Sequence, residues 1–230
     1  MSAEFDDYAA DYEKLLQDPV RNRFAADPLF FHRRKWILLR DFLRKHGFLG
    51  SGRAWLDVGC GKGEMLRFGA GEFGRLAGCD PSAGMISGAL GFEARPQLLP
   101  HRLPFEDDSF DLVTAAGVYH HVEDRLRAPL ATEVCRVLKA GGFFCMFEHN
   151  PLNPVTRGIV KRCPVDAHAH LLRASEARRL MQSAGMSIVE TRYFLYLPEK
   201  LFDRASILEN ALRQVPLGGQ FAVFGKKSCP

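Results

Sequence analysis

Leu56-Asp57-Val58-Gly59-Cys60-Gly61-Lys62-Gly63-Glu64-Met65 runs from an apolar, strand-like segment into a helix-like one through a glycine-rich bend. Ala54 to Val58 reads as a short strand, and residues 64–73 can be helical. A bend that takes positive φ, or that lets a ligand approach the backbone, calls for residues without a Cβ. Gly59 and Gly61 supply this at the carboxyl end of the first strand, which is where open α/β sheets bind ligands.

Two kinds of ligand compete for such a bend. Dinucleotide sites use G-x-G-x-x-G, with the pyrophosphate on the helix N-terminus. Here the spacing is G-x-G-x-G and the third-glycine position is Glu64, whose carboxylate would repel a pyrophosphate. Asp57, two residues before the first glycine, is equally unhelpful beside phosphate but useful beside a cation. A second acid, Asp80, closes the next strand, Leu76 to Asp80, where a carboxylate can accept ribose hydroxyls. Together these residues point to an adenosine carrying positive charge.

Outward from this segment, strand-like and helix-like stretches alternate. Residues 5–17 and 28–46 look helical, with Phe31, Leu38, Phe42 and His46 on one face and Lys and Arg opposite, and Gly47, Gly50 and Gly52 then break the chain. A helix is expected over 82–90, and strands over 97–99, 110–115 and 143–147. Leu126, Leu130, Val134, Val137 and Leu138 mark a helix that Gly141-Gly142 ends. A helix over 174–184 precedes two late strands, 188–193 and 220–224, separated by a helical segment at 199–213. The alternation implies right-handed crossovers and a parallel sheet covered on both faces. One domain is expected, with 1–50 as a helical cap, 51–150 as the cofactor-binding core, 151–173 as an acceptor-site loop and 174–230 completing the sheet.

The 230 residues carry a net charge of +4 with 47% hydrophobic and 25% charged residues, which excludes a disordered chain. No apolar run approaches the ~20 residues of a membrane span. The charge is too small to suggest a nucleic-acid partner. Basic residues cluster at 32–35, 157–162 and 173–179, and each cluster is expected to be a solvated face. None of the six cysteines forms a C-x-x-C pair, and the start of the chain is acidic and polar, so reduced cysteines and a cytoplasmic location are expected.

The chain resembles the class I S-adenosylmethionine-dependent methyltransferases, in particular the small-molecule enzymes of ubiquinone and menaquinone biosynthesis and the sugar O-methyltransferases. The resemblance covers roughly 50–150 and rests on LDVGCGKGEM, CDPSAGMI, LPFEDDSFDLV, HHVED and EVCRVLKAGGFF. It implies a Rossmann-like α/β fold: a seven-stranded, mostly parallel sheet of order 3-2-1-4-5-7-6 with strand 7 antiparallel. It also implies S-adenosylmethionine as methyl donor and S-adenosylhomocysteine as product. By resemblance, Asp57, Gly59, Cys60 and Gly61 surround the methionine part, Asp80 holds the ribose, Pro81 and Met85 flank the adenine, and Ala116 passes under the methionine end. Relatives often carry Gly-Asp-Ala shortly before Leu-Pro-Phe to read the adenine. This chain has Leu98, Leu99 and Pro100 instead, which leaves the backbone of Arg102 or Leu103 for that task.

Methyl transfer from a sulfonium is an in-line displacement in which the protein positions the acceptor and excludes water. A hydroxyl acceptor benefits from a base, usually His near neutral pH. Tyr119-His120-His121 follows the fourth strand and Glu148-His149-Asn150 the fifth, at the same sheet edge. His120 is expected as base, His121 second and Glu148 as the orienting partner, although such rings can equally serve only to hydrogen-bond the loop backbone. Metal-dependent relatives gather several carboxylates around magnesium; no such set is visible, so no metal is expected. Asn150-Pro151-Leu152 is superficially like the motif of amino-methylating DNA enzymes, but it follows the wrong strand. Arg157, Lys161, Arg162 and Arg173 against Asp166 suggest an anionic acceptor, and Phe5, Tyr8 and Tyr12 an aromatic lid or a packed helix face. The expected partner is a small-molecule acceptor, handled by a monomer or homodimer. The alternative is a cofactor-binding protein without catalysis that acts through a protein partner.

Overall fold

The computed structural model describes residues 2–89 and 91–228. Seven strands form one sheet: β1 (Gly50–Val58), β2 (Phe73–Asp80), β3 (Glu93–Pro96), β4 (Phe110–Ala116), β5 (Leu138–His149), β6 (Met186–Phe194) and β7 (Gln220–Lys227). Their order is β3-β2-β1-β4-β5-β7-β6. The first five strands pair in parallel, and β7 lies antiparallel to both β5 and β6. This is the order and sense that the resemblance implied.

Alternate residues of the central strands enter two separate cores, as period-two side chains on a sheet covered on both faces must. Leu56, Val58, Val113, Ala115, Phe144, Met146, Phe221 and Val223 face one layer, which is closed by α7 (Asp124–Val137) and α9 (Ala174–Ser183). Trp55, Leu112, Phe143, Cys145, Phe147, Ala222 and Phe224 face the other, closed by α4 (Phe30–Lys45). Phe42 of α4 stacks on Phe224 with ring centroids 4.0 Å apart and meets Phe143 edge-on at 5.1 Å. Trp36 stacks on Trp55 at 5.6 Å.

Several elements differ from their expected bounds. The first helix breaks into α1 (Ser2–Tyr8) and α2 (Tyr12–Leu15), with α3 (Pro19–Phe24) following, capped by the Asp18 carboxylate. Helical stretches after β1 and β2 shrink to α5 (Glu64–Arg67) and α6 (Ala83–Ile86). Gly47 sits in the turn that ends α4, but β1 begins at Gly50 and its register shifts between Gly50 and Ala54, so Gly50 and Gly52 sit in an irregular, exposed strand end rather than a break. The third strand lies at 93–96 and not 97–99: Glu93 opposes Ala77 and is tied to Arg75 and Arg95. The apolar pair Leu98-Leu99 that suggested a strand is exposed instead. Gly141-Gly142 lies inside β5, where the pairing with β4 skips register, and the helix ends earlier. The presumed acceptor loop contains α8 (Pro154–Arg162), started by Pro154 at its first position and the Asn153 cap. α10 (Glu199–Leu212) joins β6 to β7.

The basic run at 32–35 is not a solvated face: Arg34 and Lys35 are buried, Arg34 pairing with Glu209 of α10. No helix among the described residues is long and apolar enough to cross a membrane. Replacing Phe42 by Ala should cost about 3–5 kcal/mol of unfolding free energy, read as a lower urea midpoint at an unchanged slope.

Candidate active site

The bend after β1 takes positive φ at Gly59 (66°), Gly61 (53°) and Gly63 (81°). A Cβ at Gly59 would lie 2.5 Å from Val118 Cγ2, so the β1 and β4 exits approach as closely as a missing side chain allows. The Gly59 and Cys60 amides donate to the Cys79 carbonyl, locking the bend to β2. Asp80 accepts from the Gly61 amide at 2.9 Å through one oxygen and from the Ser82 amide at 2.9 Å through the other. Each oxygen keeps a lone pair for a further donor. Asp57 is buried one strand away and accepts from Thr114 Oγ1 at 2.5 Å, and Thr114 in turn accepts from Trp55 Nε1 at 2.8 Å. Among the described residues neither Asp57 nor Asp80 has a cationic side chain in ion-pair contact.

Burial is the main influence on both acids. It pushes Asp57 up to about 7, against the opposing Thr114 hydrogen bond and the Lys35 charge, and it raises Asp80. Lys35, facing Glu148 and Asp57 from α4, is itself pushed down to about 8 by burial. Two buried carboxylates that a cation would stabilise, beside a glycine-rich bend, fit a positively charged, ribose-bearing cofactor. Met85 lies near this bend, its Cε 3.5 Å from the place a Cβ on Gly61 would take. Pro81 and Ala116 are half-buried at the ends of β2 and β4. The Cys60 side chain turns inward against Gly78. Leu103 does not fit its expected part: its side chain is in the core and its amide donates to Glu133 at 3.1 Å. The Arg102 amide donates to the Leu99 carbonyl, so neither backbone group is open to an adenine.

A second cluster is built around Glu148 near the end of β5. One carboxylate oxygen accepts from the amides of Val118 (3.1 Å) and Tyr119 (2.7 Å), and the other contacts His120 Nδ1 at 2.5 Å. The second ring nitrogen of His120 lies 3.5 Å from Asp166 Oδ1, and His121 Nε2 lies 3.4 Å from the same oxygen. His149 stands behind, its ring 5.2 Å from that of His120. His120 and Glu148 are almost fully buried, whereas the His121 side chain is 17% exposed. A cavity of about 210 Å³ opens against His120, His121, His168, His170 and Phe5.

These groups divide the charge sharply. Burial would lower His120, but the Glu148 and Asp166 carboxylates outweigh it and raise the ring to about 9. Burial and the His120 charge push His121 down to about 4, and His149 likewise. Burial would raise Asp166, yet its bond to His120 and the imidazole charges hold it near 2. Glu148 is lowered in the same way, against its burial.

Sequence reasoning passed over several of these residues. Asp166 carries no strand-end signal, although Asp-Ala-His-Ala-His at 166–170 is an unusual density of ligating groups. Arg127 is buried and ties the Tyr119 and Val122 carbonyls to that of His170, a role set only by packing. Asp6 of α1 accepts from Ser82 Oγ (2.6 Å) and the Gly84 amide, clamping the N-terminal cap onto the β2 exit. Phe5 packs edge-on against His121 at 5.1 Å and against Tyr8 at 6.0 Å. Tyr12 is shielded near Asp166, Glu64 and Asp80, and burial raises its hydroxyl well above its ordinary range. Asn150 spends its amide on the Pro216 and Gly218 carbonyls, a structural role. Arg157, Lys161, Arg162 and Arg173 are exposed, and Arg162 pairs with Asp18, so none of them lines the cavity.

Residues 56–146 match the family of methyltransferase domains. The chain is 35% identical over 134 residues to the demethylmenaquinone methyltransferase of Staphylococcus haemolyticus, covering 53% of this chain and 54% of that one. It is 29% identical over 134 residues to the human probable tRNA methyltransferase 9B, covering 56% of this chain and 28% of that protein. The chain thus spans about half or less of the length of such curated relatives. Among solved structures it is similar to a chain of the Haloferax volcanii complex between the Trm112 methyltransferase activator and a methyltransferase, with a TM-score of 0.68, 21% identity and 98% of each chain covered. Residues 56–146 thus match a methyltransferase domain, and the chain shares the fold of that solved neighbour.

Proposed function

We propose that this chain transfers a methyl group from S-adenosylmethionine to an oxygen of a small molecule. The observation that carries the reading is the pairing, at one sheet edge, of two buried carboxylates without an ion-pair partner at the glycine bend after β1 with a histidine-lined cavity at the exit of β4. When bound, the cofactor supplies a methyl group already activated on a sulfonium. Asp57 and the backbone of Gly59, Cys60 and Gly61 face its cationic methionine end, Asp80 receives the ribose hydroxyls, and Pro81 and Met85 flank the base. The α1–α2 cap excludes water through Phe5 and Tyr12.

On the acceptor side, burial favours His121 over His120 for direct contact. Both rings border the cavity, but His121 is the more exposed, while His120 is held between Glu148 and Asp166. His121 then contacts the acceptor hydroxyl from the cavity wall, and His120 with Glu148 positions it. A small molecule is favoured over RNA because the cavity is small and the basic residues near it are turned away or paired. A second reading, a cofactor-binding chain that works through a protein partner, draws on Leu98 and Leu99, 87% and 52% exposed beside the edge strand β3. The neighbour described as a complex with a methyltransferase activator points the same way.

Replacing Asp80 by Ala should weaken S-adenosylhomocysteine binding by about 1.5–3 kcal/mol, the usual worth of hydrogen bonds to a charged group. Unchanged affinity by calorimetry removes Asp80 from the site. Replacing His121 by Ala should lower turnover by roughly 10²-fold with cofactor affinity intact, as expected for a lost contact at the reacting group.

Cofactor binding should also depend on pH through Asp57. Its carboxyl, at about 7 in the free protein, is pulled lower by a bound cation. Protons are therefore released on binding, and affinity for S-adenosylmethionine should fall by up to about tenfold per pH unit below 7 and level off above it. Calorimetry at pH 6 in buffers of different ionisation enthalpy reads this release, and Asp57→Asn should abolish it. Labelled methyl groups offered to hydroxylated small molecules and to total tRNA should appear in the small-molecule fraction. Label confined to RNA would overturn the acceptor class.

A further inference from the structure

We infer that His120, His121 and Asp166 form a binding site for a divalent transition-metal ion of the zinc class. The ligating atoms of these three residues all lie within 4.8 Å of one another. Two of the separations are more telling: His120 Nε2 and His121 Nε2 stand 3.5 and 3.4 Å from Asp166 Oδ1. Ligands held at about 2.0–2.1 Å in a tetrahedron are about 3.4 Å apart, so the present spacing already matches a coordination edge. Two imidazoles and one carboxylate are also the donor set that suits zinc, iron, nickel or cobalt rather than magnesium.

The surroundings are those of a metal centre. His120 turns Nδ1 to Glu148 at 2.5 Å, which directs its other nitrogen toward Asp166, and Glu148 is held by the Val118 and Tyr119 amides. A carboxylate behind a ligating imidazole is the usual outer support of such sites. The three donors come from two rigid attachments. His120 and His121 lie in the short 3-10 turn after β4, and Asp166 in the 3-10 turn Pro164–Asp166 after α8. Buried Arg127 and the bond from the His170 amide to the His120 carbonyl tie the two segments together. The remaining side opens on the 210 Å³ cavity, where His168 and His170 also stand, leaving a position for an oxygen ligand. The expectation of no metal rested on a missing set of carboxylates. The structure adds Asp166 to His120 and His121 from a segment 45 residues further along the sequence.

Binding is measured without cofactor or acceptor, so the result stands apart from methyl transfer. Chelator-treated protein titrated with Zn²⁺ should bind one equivalent by calorimetry, and Co²⁺ should produce the visible d–d bands of a four-coordinate nitrogen–oxygen site. Asp166→Asn and His121→Gln should each weaken Zn²⁺ binding at least tenfold with unchanged circular dichroism, and Glu148→Gln by roughly 10–100-fold as an outer-sphere loss. Absence of stoichiometric binding overturns the site, as does affinity unaltered in both the Asp166 and His121 variants. Should these variants unfold, the native Co²⁺ spectrum still decides: intense thiolate charge-transfer absorption would place the ion on cysteine and sink the assignment.

Discussion

The Glu148 carboxylate organises the histidine cluster at the carboxyl edge of the sheet. It ends β5 in full burial, where an unpaired charge would be costly, and satisfies itself with two amides of the β4 exit and the His120 ring. Those bonds turn the chain sharply after Ala116 and present His120 and His121 side by side, rings 4.1 Å apart. They add to the bond from the Gly117 amide to the Phe147 carbonyl in fixing the β4 exit against β5.

A second buried relay performs the same service for the cofactor edge. Trp55 donates to Thr114 and Thr114 to Asp57, so an indole stacked deep in the aromatic core sets the orientation of the acid at the mouth of the glycine bend. Hydrogen bonds in series within a low-dielectric interior reinforce one another. Both relays run along the sheet's hydrogen-bonding direction, from strand to neighbouring strand. Core packing and site geometry are therefore one structure here, and a core defect near Trp55 is felt at Asp57.

The N-terminal cap closes this edge from above through polar contacts. Asp6 bonds to Ser82 and Gly84, and Arg162 of α8 holds Asp18 of the cap at 2.8 Å. Contacts of this kind, few and exposed to solvent on one side, open at lower cost than a packed core.

The sequence by itself determined the sheet's alternation with helices, the glycine bend between two acids, and the presence of histidines after β4, because each depends on local periodicity or on neighbours in the chain. Leu56 to Met65 and Phe110 to Ala115 show their conformation in their own residue pattern. Tertiary structure alone decided the rest. It buried Arg34 and Lys35 on a helix face that reads as polar, because α10 brings Glu209 to Arg34, while Glu148 and Asp57 face Lys35. It moved the third strand to Glu93–Pro96, since an edge strand is defined by its partner, here β2, more than by its own apolar content. It also carried Asp166 across the α8 excursion to His120 and His121, a meeting of distant charges that no window of sequence contains.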